Sequence, residues 1–154
     1  MPASIRTAKP QDAESVAALA HEFDVYLQTL GERPHPQFLT AERYLRDGFG
    51  DDPAFSGLIA ELEGCVVGYL LYCRAYDADF GGRILYIVDL FVQEHARRQG
   101  VARALMQQAA DICRQLGGHQ LLWPVYVPNK LAFAFYEALG AQYIRDLNFM
   151  HWSV

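Results

Sequence analysis

Nine consecutive residues, Ile84–Val92, are apolar but for a single acid, Asp89. A run of this kind is expected of a central strand buried on both faces. After the short polar loop Arg97–Gly100, Val101, Leu105, Ala109, Ile112 and Leu116 recur on one helical stripe, which Gly117-Gly118 stops. A buried strand feeding directly into a long amphipathic helix requires a sheet covered by helices, so the chain is predicted to be α/β.

The flanking sequence fills in the order. Ser4–Thr7 reads as a strand. Pro10 and Asp12 open a helix, with Asp12 as N-cap, whose apolar face runs from Val16 to Leu30. Gly31–Leu39 reads as a loop, and Thr40 caps a second helix ending near Gly48. Gly57–Leu62 and Cys65–Tyr72 are strands joined by the hairpin signal Glu63-Gly64, and Asp77–Gly82 is a turn. Gln120–Val127 reads as a strand in which Pro124 is awkward unless pairing is broken there. Asn129–Leu139 is helical up to Gly140, and Ala141–Ile144 with Phe149–Trp152 reads as a closing hairpin. The order β-α-α-β-β-β-α-β-α-β-β has no linker in it, so residues 1–154 are expected to form one domain.

Composition removes several functions. With 52% apolar and 20% charged residues the chain can fill a core, and is neither disordered nor fibrous. Its apolar runs are too short to span a membrane, and MPASIRTAKPQDA lacks a signal-peptide core. A net charge of −5 argues against a nucleic-acid partner. Cys65, Cys73 and Cys113 are odd in number and outside metal-ligand spacing, which fits buried, reduced thiols in a cytoplasm. The five histidines are scattered, so no metal site is expected. The charge is also unevenly spread: residues 12–79 carry a net −9 and residues 80–154 a net +2.

The segment Asp89–Ala102 carries the most chemistry. Gly100 at a helix start allows close approach to unpaired amides, and Arg97, Arg98 and Arg103 add positive charge, which together suit a pyrophosphate. Neither GxxxxGK[ST] nor GxGxxG is present, and a solvated arginine turn is the bland alternative. In Asn129–Gly140, Asn129 suits an N-cap, and Tyr136, taken alone, reads as a core aromatic beside Ala132, Phe135 and Leu139.

Together the two segments resemble the GCN5-related N-acetyltransferases (GNAT family). Arg97-x-x-Gly100-x-Ala102 is similar to that family's coenzyme A signature, and Leu90-Phe91-Val92 to its central strand. Asn129-x-x-Ala132-x-x-Phe135-Tyr136-x-x-x-Gly140 is similar to its Asn…Phe-Tyr motif. Ile5 to Ala13 looks like its first strand and helix. The resemblance implies the single-domain acyl-CoA N-acyltransferase fold: a mixed, mostly antiparallel sheet with splayed central strands, flanked by helices. It implies acetyl-CoA as co-substrate and coenzyme A as product. Pantetheine would pair with Leu90, Phe91 and Val92, phosphates would lie on Arg97, Arg98, Gln99, Gly100, Val101, Ala102 and Arg103, and Asn129 would be a further contact. Tyr136 falls on the general acid, and Asp89 is the candidate base or amine contact. The closest subgroup in motif is the diamine acetyltransferases, whose strand carries a Glu-Asp pair where this chain has Val88-Asp89.

An acceptor in this fold lies near the acidic part of the chain, with Tyr26, Tyr76, Asp77 and Tyr86 as candidate contacts. The expected activity is acetyl transfer to a primary amine of a small cationic or amino-acid-like molecule, by direct attack in a ternary complex. Acetylation of a protein lysine or N-terminus, or acyl-CoA sensing without turnover, remain alternatives. The resemblance also suggests a homodimer, with no membrane or nucleic-acid partner.

Overall fold

A computed structural model describes residues 1–35 and 38–154; of the expected loop 31–39, Pro36 and Gln37 lie outside the described residues. The chain separates into two compact units, Met1–Pro124 and Val125–Val154.

The first unit holds a five-stranded sheet in the order β1-β2-β3-β4-β5. The strands are β1 (Ser4–Thr7), β2 (Ser56–Leu62), β3 (Cys65–Asp77), β4 (Gly82–Val92) and β5 (Gly118–Leu122). The first four pair antiparallel, and β5 joins β4 in parallel after a helical crossover. Glu63 and Gly64 both adopt positive φ, as the two-residue turn between β2 and β3 requires.

Three helices cover this sheet. From α1 (Ala13–Thr29), Val16, Leu19 and Ala20 are buried with Tyr44 of α2 (Ala41–Phe49) and with Ile59, Tyr69, Leu71 and Phe91 of the sheet. On α3 (Val101–Gln115), Val101, Leu105, Ala109 and Cys113 are buried as the stripe predicts, and the helix packs on β2 to β5. Gly118 is needed here, because a Cβ would lie 2.5 Å from Cys113 Sγ.

Several sequence expectations are corrected. Asp12 does not cap α1 by its side chain. Its carboxylate accepts the Lys9 amide at 2.7 Å and a bidentate pair from Arg6 at 2.7 and 2.8 Å, so it fastens the entry turn to β1. Only Cys113 of the three free thiols is buried, while Cys65 sits exposed beside the hairpin turn. β4 is not buried throughout, since Val88 is 44% exposed. β5 begins at Gly118 and stops at Leu122, leaving Pro124 outside the ladder that it cannot join as a donor.

In the second unit, α4 (Lys130–Ala138) is capped by Asn129, whose Oδ1 accepts the Ala132 amide at 3.2 Å. The expected hairpin beyond it is absent, and residues 141–154 contain no strand. Tyr143 instead stacks on Phe133 at 5.4 Å and donates to Glu137 at 2.8 Å. These contacts with α4 claim one arm, and a hairpin without a third strand is marginal.

Candidate active site

The β3–β4 ladder changes register at one point. Leu71 faces Asp89 on one side of the break and Tyr72 faces Ile87 on the other, so Val88 is the extra residue of a β-bulge. The β4–β5 ladder ends close by, at Tyr86 and Leu122. Among the described residues, β4 from Ile87 to Val92 therefore has a strand neighbour on its β3 edge alone.

Just past the bulge the Asp89 carboxylate is held at both oxygens. The Tyr69 hydroxyl donates to Oδ2 at 2.5 Å, and the Leu90 amide donates to Oδ1 at 3.1 Å. Register puts Asp89 and Phe91 on the same face as Leu71 and Tyr69, the face covered by α1, where Phe23 stacks on Phe91 at 5.2 Å. Burial pushes the Asp89 carboxyl up to about 6, and the two donors oppose that rise. Burial also holds the Tyr69 hydroxyl well above its ordinary range, with the neighbouring Asp89 charge adding to it. The pair thus stays a phenol donating to a carboxylate.

Beyond Val92 the chain makes a short 3-10 turn, Glu94–Ala96, and enters the arginine loop. Arg97 Nε donates to the Val92 carbonyl at 3.0 Å, and its guanidinium lies over the rings of Tyr26 (5.2 Å) and Phe91 (5.7 Å). Arg97 therefore ties the loop to the end of β4 and to α1. Arg98 and Gly100 have φ of +61° and +79°, a conformation that turns successive amides toward one side. A Cβ on Gly100 would meet nothing within 4 Å, so the glycine serves backbone conformation and not space. Gly100 is the N-cap of α3, with no side-chain cap, and its carbonyl accepts the Ala104 amide at 2.9 Å. The amides of Val101, Ala102 and Arg103 thus belong to the open first turn. Gln99 donates to the His95 carbonyl at 2.9 Å, while Arg98, Gln99 and Arg103 are exposed. Amides, helix dipole and arginines on one loop suit a diphosphate, and the β4 edge leading into it suits an extended amide chain.

In the second unit Asn129 is buried, with its side chain engaged as the cap. Tyr136 is half-buried and lies tilted against Phe135, with ring centres 5.1 Å apart.

The proposed acceptor residues are scattered. Tyr26 packs on Arg97, beside the arginine loop. Tyr86 is partly buried at the last β4–β5 pair, and burial raises its hydroxyl. Tyr76 is 65% exposed, and Asp77 holds the β3–β4 turn by accepting the amides of Asp79 and Phe80 (3.0 and 3.2 Å) and the Gln120 side chain (3.2 Å). Both lie near the Arg83 end of β4, six residues or about 20 Å of extended strand from Asp89, so the structure does not bring them to it.

One group escaped the sequence reading. It is Tyr69, although an acid in an apolar strand calls for a donor on the neighbouring strand; the bulge hid the register that names it. Asp24, which its charge alone would place among acids steering a cationic acceptor, is buried, with His35 Nδ1 2.9 Å from Oδ1 and Gln28 donating to Oδ2 at 2.7 Å. Burial opposes its ionisation, but these hydrogen bonds keep its carboxyl below the ordinary range. Among the described residues, no group of three or more His, Cys, Asp or Glu side chains is placed to hold a metal ion.

The family model described as acetyltransferase (GNAT) family matches residues 17–141. A Bos taurus protein named thialysine N-epsilon-acetyltransferase is 34% identical, over 96% of this chain and 88% of its own. The Homo sapiens spermidine/spermine N(1)-acetyltransferase-like protein 1 is 30% identical over 67% of this chain and 16% of its own. Among solved structures, an integron cassette protein from the mobile metagenome of V. cholerae matches in fold with a TM-score of 0.80 at 21% identity, over 100% of this chain and 94% of that one.

Proposed function

The chain belongs to the acetyltransferase (GNAT) family, and on that premise we propose that it moves the acetyl group of acetyl-CoA to a primary amine of a small molecule. The observation that carries this reading is the bulge at Val88. It turns the partly enclosed Asp89 carboxylate toward one face at the point where β4 loses β5, a few residues before the arginine loop.

In this reading the amides and carbonyls of Leu90–Val92 align the pantetheine arm. Arg98, Gln99, Gly100, Val101, Ala102 and Arg103 hold the diphosphate, with Arg97 keeping their loop in place and Asn129 as a further contact. Acetyl-CoA supplies an acyl group activated as a thioester. A backbone amide near the bulge stabilises negative charge developing on the acyl oxygen. Asp89 accepts a proton from the incoming ammonium. With its carboxyl near 6 rather than near 4, that transfer from a lysine-like amine becomes about 3 kcal/mol less uphill. Tyr136 then protonates the departing thiolate.

The relatives named for thialysine and spermidine/spermine favour a diamine-like small molecule over a protein lysine or N-terminus. Tyr26 and Tyr86 are the better acceptor contacts; Tyr76 and Asp77 would serve only an acceptor reaching along the hairpin. Residues 1–154 are read as one catalytic domain, because the family model runs across the boundary at Pro124. A homodimer is supported by the exposed Phe149 and Trp152 near the C-terminus, and a cytoplasmic setting by three unpaired cysteines. A net charge of −5 speaks against a nucleic-acid partner. No helix among the described residues is long and apolar enough to cross a membrane.

A thiol-release assay with acetyl-CoA and a panel of diamines, amino acids and a lysine peptide tests the proposal. Turnover with diamines is expected, reduced in both Asp89→Asn and Tyr136→Phe. Coenzyme A binding without thiol release from any amine would leave only the sensor.

A further inference from the structure

We propose that Tyr69 is a positioning residue for acetyl transfer: its buried hydroxyl orients the Asp89 carboxylate and holds it in the anionic, proton-accepting form. The inference rests on the reading of Asp89 as the base.

The geometry is specific. Tyr69 is fully buried in β3, and its ring belongs to the core between the sheet and α1. Its hydroxyl donates to Asp89 Oδ2 at 2.5 Å from the adjacent strand. Because Tyr69 faces Phe91 and Leu71 faces Asp89, the contact is a diagonal one across the ladder. The rigid phenol body, packed by the core, therefore sets where its oxygen sits. With the Leu90 amide on Oδ1, each carboxylate oxygen has one donor and keeps lone-pair capacity for a substrate proton.

The energetics point the same way. Burial raises the Asp89 carboxyl, and Tyr69 is the larger of the two groups that counter it. Other polar groups on the elements over this face have partners of their own. On α1, Glu22 accepts from Gln93, Asp24 is held by His35 and Gln28, and Tyr26 lies on Arg97. On α2, the Tyr44 hydroxyl donates to the Lys9 carbonyl, and in the loop Arg97 donates to Val92. A phenylalanine would fill the same space in the core, so shape alone does not explain the hydroxyl.

The test compares wild type, Tyr69→Phe, Asp89→Asn and the double variant. The Asp89 side-chain carboxyl is titrated by carbon-13 NMR, and kcat/KM for thiol release is followed from pH 5 to 9. In Tyr69→Phe the Asp89 midpoint and the acid limb of the rate profile are expected to rise together by about one to two pH units. At pH 6 that is a loss of about fivefold or more, shrinking as the pH rises. In the Asp89→Asn background the same substitution should leave the profile's shape unmoved. Substituting 3-fluorotyrosine, a stronger donor of nearly the same shape, should lower the midpoint, and covers the case in which Tyr69→Phe does not fold. A midpoint unmoved by either change overturns the role of Tyr69. An acid limb that survives Asp89→Asn overturns instead the assignment of Asp89 as base.

Discussion

Asp89→Asn should make the protein more stable at neutral pH while it lowers activity. The folded state binds the Asp89 proton more tightly than the unfolded chain does, because the carboxyl rises from 3.8 to about 6 on folding. Stability from this group is then greatest below about pH 4, erodes as the pH climbs, and is fully lost above about pH 6. At about 1.4 kcal/mol per pH unit, the ionised residue costs the fold about 3 kcal/mol at pH 8. That is an upper bound, since the residue as a whole is only partly enclosed and water takes up part of the charge. Asparagine carries no such cost. Its oxygen can accept the Leu90 amide and its NH2 can donate to the Tyr69 oxygen, which reverses that bond and leaves the Tyr69 O–H without its acceptor, an offset of about 1 kcal/mol or more that does not vary with pH. For a chain of this length, about 3 kcal/mol before that offset corresponds to a rise in Tm of about 6–12 °C. Thermal and urea unfolding of the two proteins at pH 4 and pH 8 measures the difference. The gap should be small at pH 4 and favour asparagine at pH 8. A gap that stays constant between those values, or a variant less stable at pH 8, would refute the reasoning.

Other substitutions probe the remaining parts. Gly100→Ala forces a side chain onto φ of +79°, which should destabilise by about 1 kcal/mol and raise the KM for acetyl-CoA several-fold, while the acceptor KM holds. Tyr136→Phe should lower kcat by about a hundredfold with coenzyme A affinity retained, as measured by calorimetry beside the rate assay. Leu105→Ala, at a fully buried site on α3, should cost about 2–5 kcal/mol in urea unfolding. Arg6→Ala should cost about 1–3 kcal/mol at pH 7. Asp12 is held below its ordinary carboxyl value chiefly by the Arg6 hydrogen bonds, so that stability is present above about pH 4. The difference between Arg6→Ala and wild type should therefore close as the pH falls below that value.

Local signals in the chain spelled out the elements more fully than the contacts between them. The stripe on α3, the Glu63-Gly64 turn, and the caps at Thr40 and Asn129 all appear where spacing and residue type put them, because each depends on neighbours a few residues away. The Asp89 environment depends on register, and a bulge sets register by an offset that no local pattern announces. For that reason Asp89 stood out as anomalous while Tyr69, twenty residues earlier, did not. Charge and aromaticity group Tyr76 and Asp77 with the acceptor, but those properties carry no information on distance along a hairpin. The closing hairpin failed for a related reason: alternation marks a sequence able to be a strand, but a strand also needs an edge to join.

The extra residue at Val88 also acts as a phase shift in a two-residue wave. Facing on β4 alternates with one parity from Gly82 to Ile87 and with the opposite parity from Asp89 to Val92. The N-terminal half of the strand can then accumulate changes that suit its packing without rotating the half that presents Asp89 and leads into the arginine loop. Deleting Val88 would close the bulge with the register kept, Ile87 still facing Tyr72 and Asp89 still facing Leu71, whereas deleting a paired residue such as Leu90 would swap the facing of every β4 residue on one side of the cut.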